Sequence, residues 1–140
     1  YFNNIKFFTI GNLNAKRDWG HAKDYAFGMY QIMCQKKSDD FILSTGKTHT
    51  VRKFIEKCFK HININLIWNG KGLKEVGINK KTKKILVRVD KKFFRPNELH
   101  YLKGDSLKAK KTFGWKPNTN IDDLIKEMMN DELKLLASRD

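Results

Sequence analysis

The spacing of apolar residues predicts four helices along this chain. The clearest runs from Val51 to Ile62, where apolar side chains recur at positions i, i+3, i+4, i+7, i+8 and i+11 of one helical face. Thr50 precedes this helix and is a suitable N-cap, because its hydroxyl can accept a bond from a free amide of the first turn. A helix to about Gln35 is predicted earlier in the chain, with an apolar face made of Ala22, Tyr25, Ala26, Met29 and Met33.

Two further helices are predicted near the C-terminus. Asp105 is the expected cap of the first, which ends at Gly114 and is followed by Pro117. The second begins near Asn120 and has acidic residues in its first turn, where they favour the helix dipole. Its expected buried face consists of Ile121, Leu124, Ile125, Met128 and Met129.

Short β-prone runs predict strands at Ile5–Ile10, Phe41–Leu43, Ile64–Trp68 and Ile85–Val89. The run Phe41–Leu43 is apolar without alternation, which is typical of a strand covered on both faces. The strand–helix–strand order from there to Trp68 predicts a parallel α/β sheet with crossover helices. Between residues 69 and 84 the chain is rich in glycine and lysine, and we expect a mobile connection.

Length and composition limit the possible classes of protein. The 140 residues are of single-domain size, and 40% of them are hydrophobic, which is too many for a disordered chain. No apolar stretch approaches membrane-spanning length, and the first residues do not resemble a signal peptide. A strand-like run follows Tyr1 almost at once, so we expect a cut through a larger protein.

The two cysteines and four histidines have no metal-site spacing, so no metal centre is expected. Sparse cysteine use is typical of a reducing compartment, and the expected location is the cytoplasm.

The net charge of +14 raises the possibility of nucleic-acid binding. Lysine doublets spread along the chain supply most of this charge, whereas nucleic-acid-binding proteins more often concentrate it on one face. Charge alone indicates solubility and non-specific attraction. A basic nucleic-acid-binding domain therefore remains only the alternative from a different functional class.

Arg17 and Arg95 are the candidate ligand-binding residues that stand out among the many lysines. A guanidinium group presents a rigid fork that can hold two phosphate oxygens at once, so the pair indicates a nucleotide-sugar site. Glu98 lies three residues after Arg95 and can accept bonds from ribose hydroxyls, or it can form an ion pair with Arg95. Arg17 can likewise form a surface pair with Asp18. Val51 can form an apolar wall of the site or belong to the core.

Four stretches of the chain resemble the extended short-chain dehydrogenases/reductases, and within them the GDP-mannose 4,6-dehydratase family. They are Gly11–Tyr25 with its Arg-Asp-Trp-Gly-His motif, Phe41–Glu56, Val89–Glu98 with its Phe-Arg-Pro-x-Glu motif, and Gly104–Pro117. The resemblance implies an α/β fold in which residues 1–140 are the C-terminal part of a Rossmann-like enzyme. Most of the segment would be the nucleotide-sugar-binding subdomain. Residues 41–62 or so would complete the Rossmann sheet.

The resemblance also implies an activity. Enzymes of this family are hydro-lyases that convert GDP-mannose to GDP-4-keto-6-deoxymannose with NADP, on the route to GDP-fucose. The complete enzyme would be a homo-oligomer that binds neither nucleic acid nor membrane. The substrate contacts implied for this segment are Gly11, Asn12, Arg17, Val51, Arg95 and Glu98.

The catalytic and cofactor-binding equipment of the family is not expected within these residues. No tyrosine is followed four places later by lysine, and Gly70, Gly72 and Gly77 lack the spacing of a dinucleotide-binding turn. NADP would therefore be bound upstream of Tyr1, and the segment alone would be inactive. A related epimerase or dehydratase acting on UDP- or dTDP-sugars is the alternative within the enzyme class, although the Trp19-Gly20 form of the motif argues against it.

Overall fold

The computed structural model describes residues 6–95, 99 and 101–138. Short 3₁₀ turns occupy Gly72–Lys74 and Lys91–Phe93. The strands and helices, in chain order, are β1 (Phe8–Ile10), β2 (Lys16–Arg17), α1 (Ala22–Met33), β3 (His49–Thr50), α2 (Val51–His61), β4 (Leu66–Asn69), β5 (Val76–Asn79), β6 (Ile85–Val89), α3 (Leu107–Phe113) and α4 (Ile121–Ala137).

A four-stranded mixed sheet with the order β1-β6-β5-β4 forms the centre of the molecule. β1 pairs with β6 in parallel, whereas the β6–β5 and β5–β4 pairs are antiparallel. Val87 of β6 is fully buried and forms the core with Leu13 and Ile55 of α2. The strand predicted at Ile85–Val89 is confirmed; it lies between β1 and β5 and is partly buried, with Val87 inside and Arg88 exposed.

β5 lies within the stretch that was expected to be a mobile connection, so that prediction is wrong. Gly77 makes the strand possible, because a Cβ there would lie 3.0 Å from both the Trp68 ring and Cβ of Val87. The alternation of Val76 and Ile78 is too short to identify a strand from the sequence alone. Residues 76–79 form a strand because β4 and β6 are hydrogen-bonded to them on either side.

The predicted parallel strand–helix–strand unit is not found. Phe41–Leu43 forms no strand, because no strand of the described residues lies beside it to complete a ladder. β4 has β5 as an antiparallel neighbour, so α2 is not a crossover between parallel strands. The assignment of residues 41–62 to a Rossmann sheet stays a prediction.

α2 begins and ends as its sequence predicts. The Thr50 hydroxyl accepts a bond from the Lys53 amide at 3.1 Å, and Ile55 is buried against the sheet. Nε2 of His61 donates to Oδ1 of Asn130 at 2.8 Å, which ties α2 to α4.

α1 spans the expected residues but buries a different face. Met29 and Met33 of the predicted apolar face are 59% and 82% exposed. The buried residues are Asp24 and Gly28, because Trp115 lies against that side of the helix. The apolar face that defined the helix in the sequence is therefore mostly at the surface of the described residues.

The C-terminal end of α3 and the start of α4 agree with prediction, whereas α3 begins one residue later than expected. Gly114 ends α3 with φ of 75°, a left-handed conformation that glycine adopts without strain. Ser106 and not Asp105 is the N-cap of α3, although Oδ1 of Asp105 accepts from the Leu107 amide at 2.9 Å. The Asn120 side chain caps α4 by accepting from the amides of Asp122 and Asp123. Ile125 is buried as predicted, whereas Met128 is 51% exposed.

Candidate functional site

The loop that leads from β1 to Arg17 is attached to the first turn of α2. Leu13 and Ala15 are almost completely buried. The amides of Val51 and Arg52 donate to the carbonyls of Ala15 and Leu13 at 3.1 and 2.9 Å. These contacts use amides that a helix otherwise leaves without partners, and they place β2 beside β3.

Arg17 reaches the segment that follows Arg95. Its Nη1 donates to the carbonyl of Leu99 at 2.7 Å and to the carbonyl of Lys16 at 2.9 Å. The Arg17 and Leu99 positions are 82 residues apart in sequence, so the fold brings Arg17 beside a residue that lies four positions after Arg95. Arg95 itself is exposed. The meeting of both guanidinium groups in one cleft stays a prediction, and Glu98 lies outside the described residues.

Lys16 belongs to a different face of β2. Successive strand residues point to opposite sides, so the side chains of Lys16 and Arg17 diverge. Lys16 forms a parallel bridge with Tyr101, and its Nζ lies 5.8 Å from the centre of that ring. The amide of Leu102 donates to the Lys16 carbonyl at 3.2 Å. Lys16 is therefore an edge residue that holds Tyr101 and Leu102.

Asp18 uses both carboxylate oxygens to hold a turn. Oδ1 accepts from the Thr45 amide at 3.0 Å, and Oδ2 accepts from the Gly46 amide at 2.8 Å.

Burial raises the pKa of the neighbouring Tyr25 phenol, and the negative charges of Asp18 and Asp24 raise it further. Tyr25 is therefore a neutral hydroxyl near pH 7.

Gly11 and Asn12 shape the loop before Arg17. A Cβ at Gly11 would lie 2.2 Å from the Phe93 carbonyl oxygen, so only glycine allows the chain to pass there. Oδ1 of Asn12 accepts from the Asn14 amide at 2.9 Å, which closes a tight turn. Their predicted contacts with a nucleotide sugar stay predictions.

Val51 lines an open apolar cavity of about 560 Å³ between β1 and α2. It is half-buried and packs against the core, so it has both a structural role and an accessible surface. The other lining residues share its apolar character; they include Ile10, Trp19, Phe54, Cys58 and Met129. The proposed contact of Val51 with a ligand stays a prediction.

His21 caps α1 and links it to α4 through hydrogen bonds of both ring nitrogens. Its Nδ1 accepts from the Lys23 amide at 3.0 Å and caps α1, so the ring proton is on Nε2, which donates to Glu127 at 3.1 Å. A hydrogen bond from Lys23 lowers the pKa of Glu127, and the positive charge of Lys23 lowers it further.

Arg52 and Glu75 form a nearly buried ion pair that sequence reasoning missed. The guanidinium donates to both carboxylate oxygens, at 2.6 and 3.0 Å. Glu75 is 8% exposed, although its sequence neighbours indicate only a solvated loop. The one available signal was an arginine at the start of an apolar helix in a chain whose other charges are mostly lysine.

The described residues do not fit a dinucleotide cofactor. None of their strands passes through a glycine-rich turn into a helix: Gly11 leads to β2 and lies against the Phe93 carbonyl. The part of the chain that the structure describes also contains no cluster of three metal-ligating side chains. Among the same residues, no helix combines the length and apolar character needed to cross a bilayer.

Comparison with known sequences finds one family. A sequence model described as GDP-mannose 4,6 dehydratase matches residues 3–128. The chain is 44% identical over 138 residues to GDP-mannose 4,6 dehydratase from Homo sapiens, which covers 99% of this chain and 37% of that protein. It is 42% identical over 127 residues to the enzyme from Sinorhizobium fredii, with shares of 91% and 36%. The chain thus spans a little over a third of the length of these relatives.

Solved structures share the fold at low identity. A UDP-glucose 4-epimerase from Bifidobacterium longum, solved with NAD+ and UDP, matches 95% of this chain and 36% of its own at a TM-score of 0.68 and 20% identity. A dTDP-glucose 4,6-dehydratase from Bacillus anthracis, solved with NAD, matches 91% and 34% at a TM-score of 0.69 and 12% identity. The expected fold class, a part of the extended short-chain dehydrogenase/reductase fold, is confirmed.

Proposed function

This chain belongs to the GDP-mannose 4,6-dehydratase family, and on that premise we propose that it forms the part of such an enzyme that binds the nucleotide sugar. One observation supports the proposal: the guanidinium of Arg17 donates to the carbonyl of Leu99, four positions after Arg95. A diphosphate needs donors from both segments. Two arginines that act together bind phosphate oxygens in a bidentate manner and with fixed orientation.

Each predicted contact has a distinct task in this proposal. Arg17 and Arg95 hold the diphosphate, and Glu98 accepts from the ribose hydroxyls. Val51 forms an apolar wall, which the open cavity beside it supports. Gly11 and Asn12 shape the loop that delivers Arg17.

The complete enzyme is proposed to be a hydro-lyase that converts GDP-mannose to GDP-4-keto-6-deoxymannose. The segment itself contributes binding and orientation of the substrate and carries no catalytic group. Since the described residues do not fit a dinucleotide, NADP is assigned to the remainder of the enzyme. The segment alone is therefore expected to be inactive. A homo-oligomer located in the cytoplasm completes the proposal.

Calorimetric titration of the complete enzyme with GDP, UDP and dTDP at fixed salt tests this function. GDP should bind more tightly than the other two, and Arg17→Ala or Arg95→Ala should each weaken it by about tenfold or more. Arg88→Ala is the matched control, because Arg88 is an exposed arginine whose guanidinium lies over the Phe7 ring. It should leave GDP affinity unchanged.

Three outcomes would contradict the proposal. Preference for UDP or dTDP would favour a related sugar-nucleotide enzyme. Equal losses for Arg88→Ala and Arg17→Ala would show a general charge effect. Tight binding of DNA or RNA with a steep dependence on salt would favour the nucleic-acid alternative.

A further inference from the structure

The side chain of Arg52 makes more specific contacts than its place at the start of α2 requires. Its two terminal nitrogens bond to both carboxylate oxygens of Glu75, and its guanidinium carbon lies 4.7 Å from the centre of the Trp68 ring. Trp68 is itself held, because its indole N–H donates to Oε1 of Glu56 at 2.7 Å. The guanidinium is therefore fixed both in its own plane and above it.

One contact of Arg52 leads out of this cluster towards the proposed site. Nη2 also donates to Oδ1 of Asn14 at 3.1 Å. The backbone amides of Val51 and Arg52 hold the carbonyls on either side of Asn14, those of Ala15 and Leu13. The first two residues of α2 thus hold three consecutive residues of the loop that ends at Arg17.

We propose that Arg52 is a positioning residue that, through Asn14, fixes the loop carrying Arg17 against the central sheet. The inference rests on the proposed function insofar as Arg17 binds the diphosphate. A planar fork suits this task because it can satisfy a carboxylate and an amide oxygen at once, while a lysine at the same place has no fixed fork geometry. The side chains of Arg52 and Glu75 are only 22% and 11% exposed, so water competes little for the Arg52–Glu75 pair, which holds the guanidinium in place beside Asn14.

Asn14→Ala removes the outward contact and leaves the Arg52–Glu75 pair intact, since Asn14 is exposed and plays no part in that pair. Asn130→Ala is a matched control: Oδ1 of Asn130 also accepts one side-chain bond from α2, that of His61, but Asn130 belongs to α4 and not to the loop before Arg17. Both variants lose one amide oxygen and one bond to the same helix. Only Asn14→Ala should loosen the loop.

The test uses the complete enzyme and two readouts. Amide hydrogen exchange of residues 13–17 should become faster in Asn14→Ala and stay unchanged in Asn130→Ala. GDP affinity by calorimetry should fall by roughly three- to tenfold in Asn14→Ala, as expected for loss of one bond to a charged donor, with the same thermal midpoint as the control. GDP affinity should fall further in Arg52→Lys than in Asn14→Ala, because the retained positive charge of lysine does not replace the fork of the guanidinium.

The outcomes separate this inference from the proposed function. Unchanged exchange of residues 13–17 in Asn14→Ala would overturn the positioning role even if the enzyme binds GDP. Equal GDP affinity in Asn14→Ala and Asn130→Ala would overturn it as well. If exchange is faster in Asn14→Ala but the enzyme does not bind GDP, the positioning of the loop by Arg52 and Asn14 would be supported and the proposed function would be contradicted.

Discussion

The indole N–H of Trp115 donates to the backbone carbonyl of Asp24 at 3.0 Å, across 91 residues of sequence. The Asp24 carboxylate accepts in return from the amides of Asn118 and Thr119 at 3.1 and 2.9 Å. These bonds fasten the Gly-Trp-Lys-Pro segment to α1. Trp115 is 2% exposed and Asp24 only 7%, so the contact is interior and water does not substitute for it.

Asp24→Ala should lower the free energy of unfolding by about 2–4 kcal/mol, because the part-buried amides of Asn118 and Thr119 lose their buried acceptor. Urea unfolding followed by Trp fluorescence measures the change. Asp131→Ala is the control: Asp131 is exposed and pairs only loosely with Lys134, at 3.7 Å, so it should cost less than about 1 kcal/mol. Equal losses would show that the Asp24 bonds contribute nothing beyond surface charge.

Gly28→Ala should destabilise the protein although alanine favours helices. Helix propensity alone predicts a gain of about 1 kcal/mol. A Cβ at this position, however, would lie 2.6 Å from Nε1 of Trp115 and 2.6 Å from a methyl group of Leu43. Since Trp115 is held by Asp24, overpacking should prevail and the net loss should be about 1–3 kcal/mol in the same urea measurement. A stabilised variant would show that Trp115 can move aside.

As the pH is lowered, the free energy of unfolding of the wild type should fall more steeply than that of the Glu127→Gln variant. Lys23 lowers the pKa of Glu127 in the folded state below its ordinary value of 4.5. As the pH falls, the Glu127 carboxylate is therefore protonated in the unfolded state before it is protonated in the folded state. The contribution of Glu127 is present above about pH 4.5 and is lost as the pH falls through the lower folded pKa.

Unfolding in urea at several pH values between 7 and 3 checks this prediction. Asp39→Asn is the control for a second carboxyl whose pKa is lowered, in that case by a hydrogen bond from Lys108. Each substitution should remove only the part of the pH dependence of the free energy of unfolding that its own carboxyl group contributes. Identical pH profiles for Glu127→Gln and the wild type would contradict the prediction.

Arg95→Ala should weaken GDP binding far more than Lys16→Ala in the complete enzyme. Pro96 restricts the Arg95 backbone to extended conformations, and loss of a charge-assisted bidentate contact should cost roughly 2–4 kcal/mol. Lys16 lies on the Tyr101 side of β2, away from Arg17, and its loss should cost less than about 1 kcal/mol. Calorimetry at fixed salt measures both. A larger loss for Lys16→Ala would move the phosphate contact to the other face of the strand.

Local chemistry determined the parts of this protein that sequence alone predicts. Thr50, Gly114 and Asn120 mark helix ends because a cap depends on bonds to residues only two to four places away. The Arg-Asp-Trp-Gly-His and Phe-Arg-Pro-x-Glu motifs likewise identified the family from short stretches of residues. These features need no knowledge of how the chain is packed.

Tertiary structure decided the rest, because long-range partners override local pattern. α1 buries Asp24 and Gly28 and leaves Met33 in solvent, since Trp115, far along the chain, occupies the polar side of the helix. β5 forms because it pairs through hydrogen bonds with β4 on one side and β6 on the other. The bond from Arg17 to the Leu99 carbonyl belongs to the same class: no spacing along the sequence indicates it, and only the folded chain brings the two segments within hydrogen-bond distance.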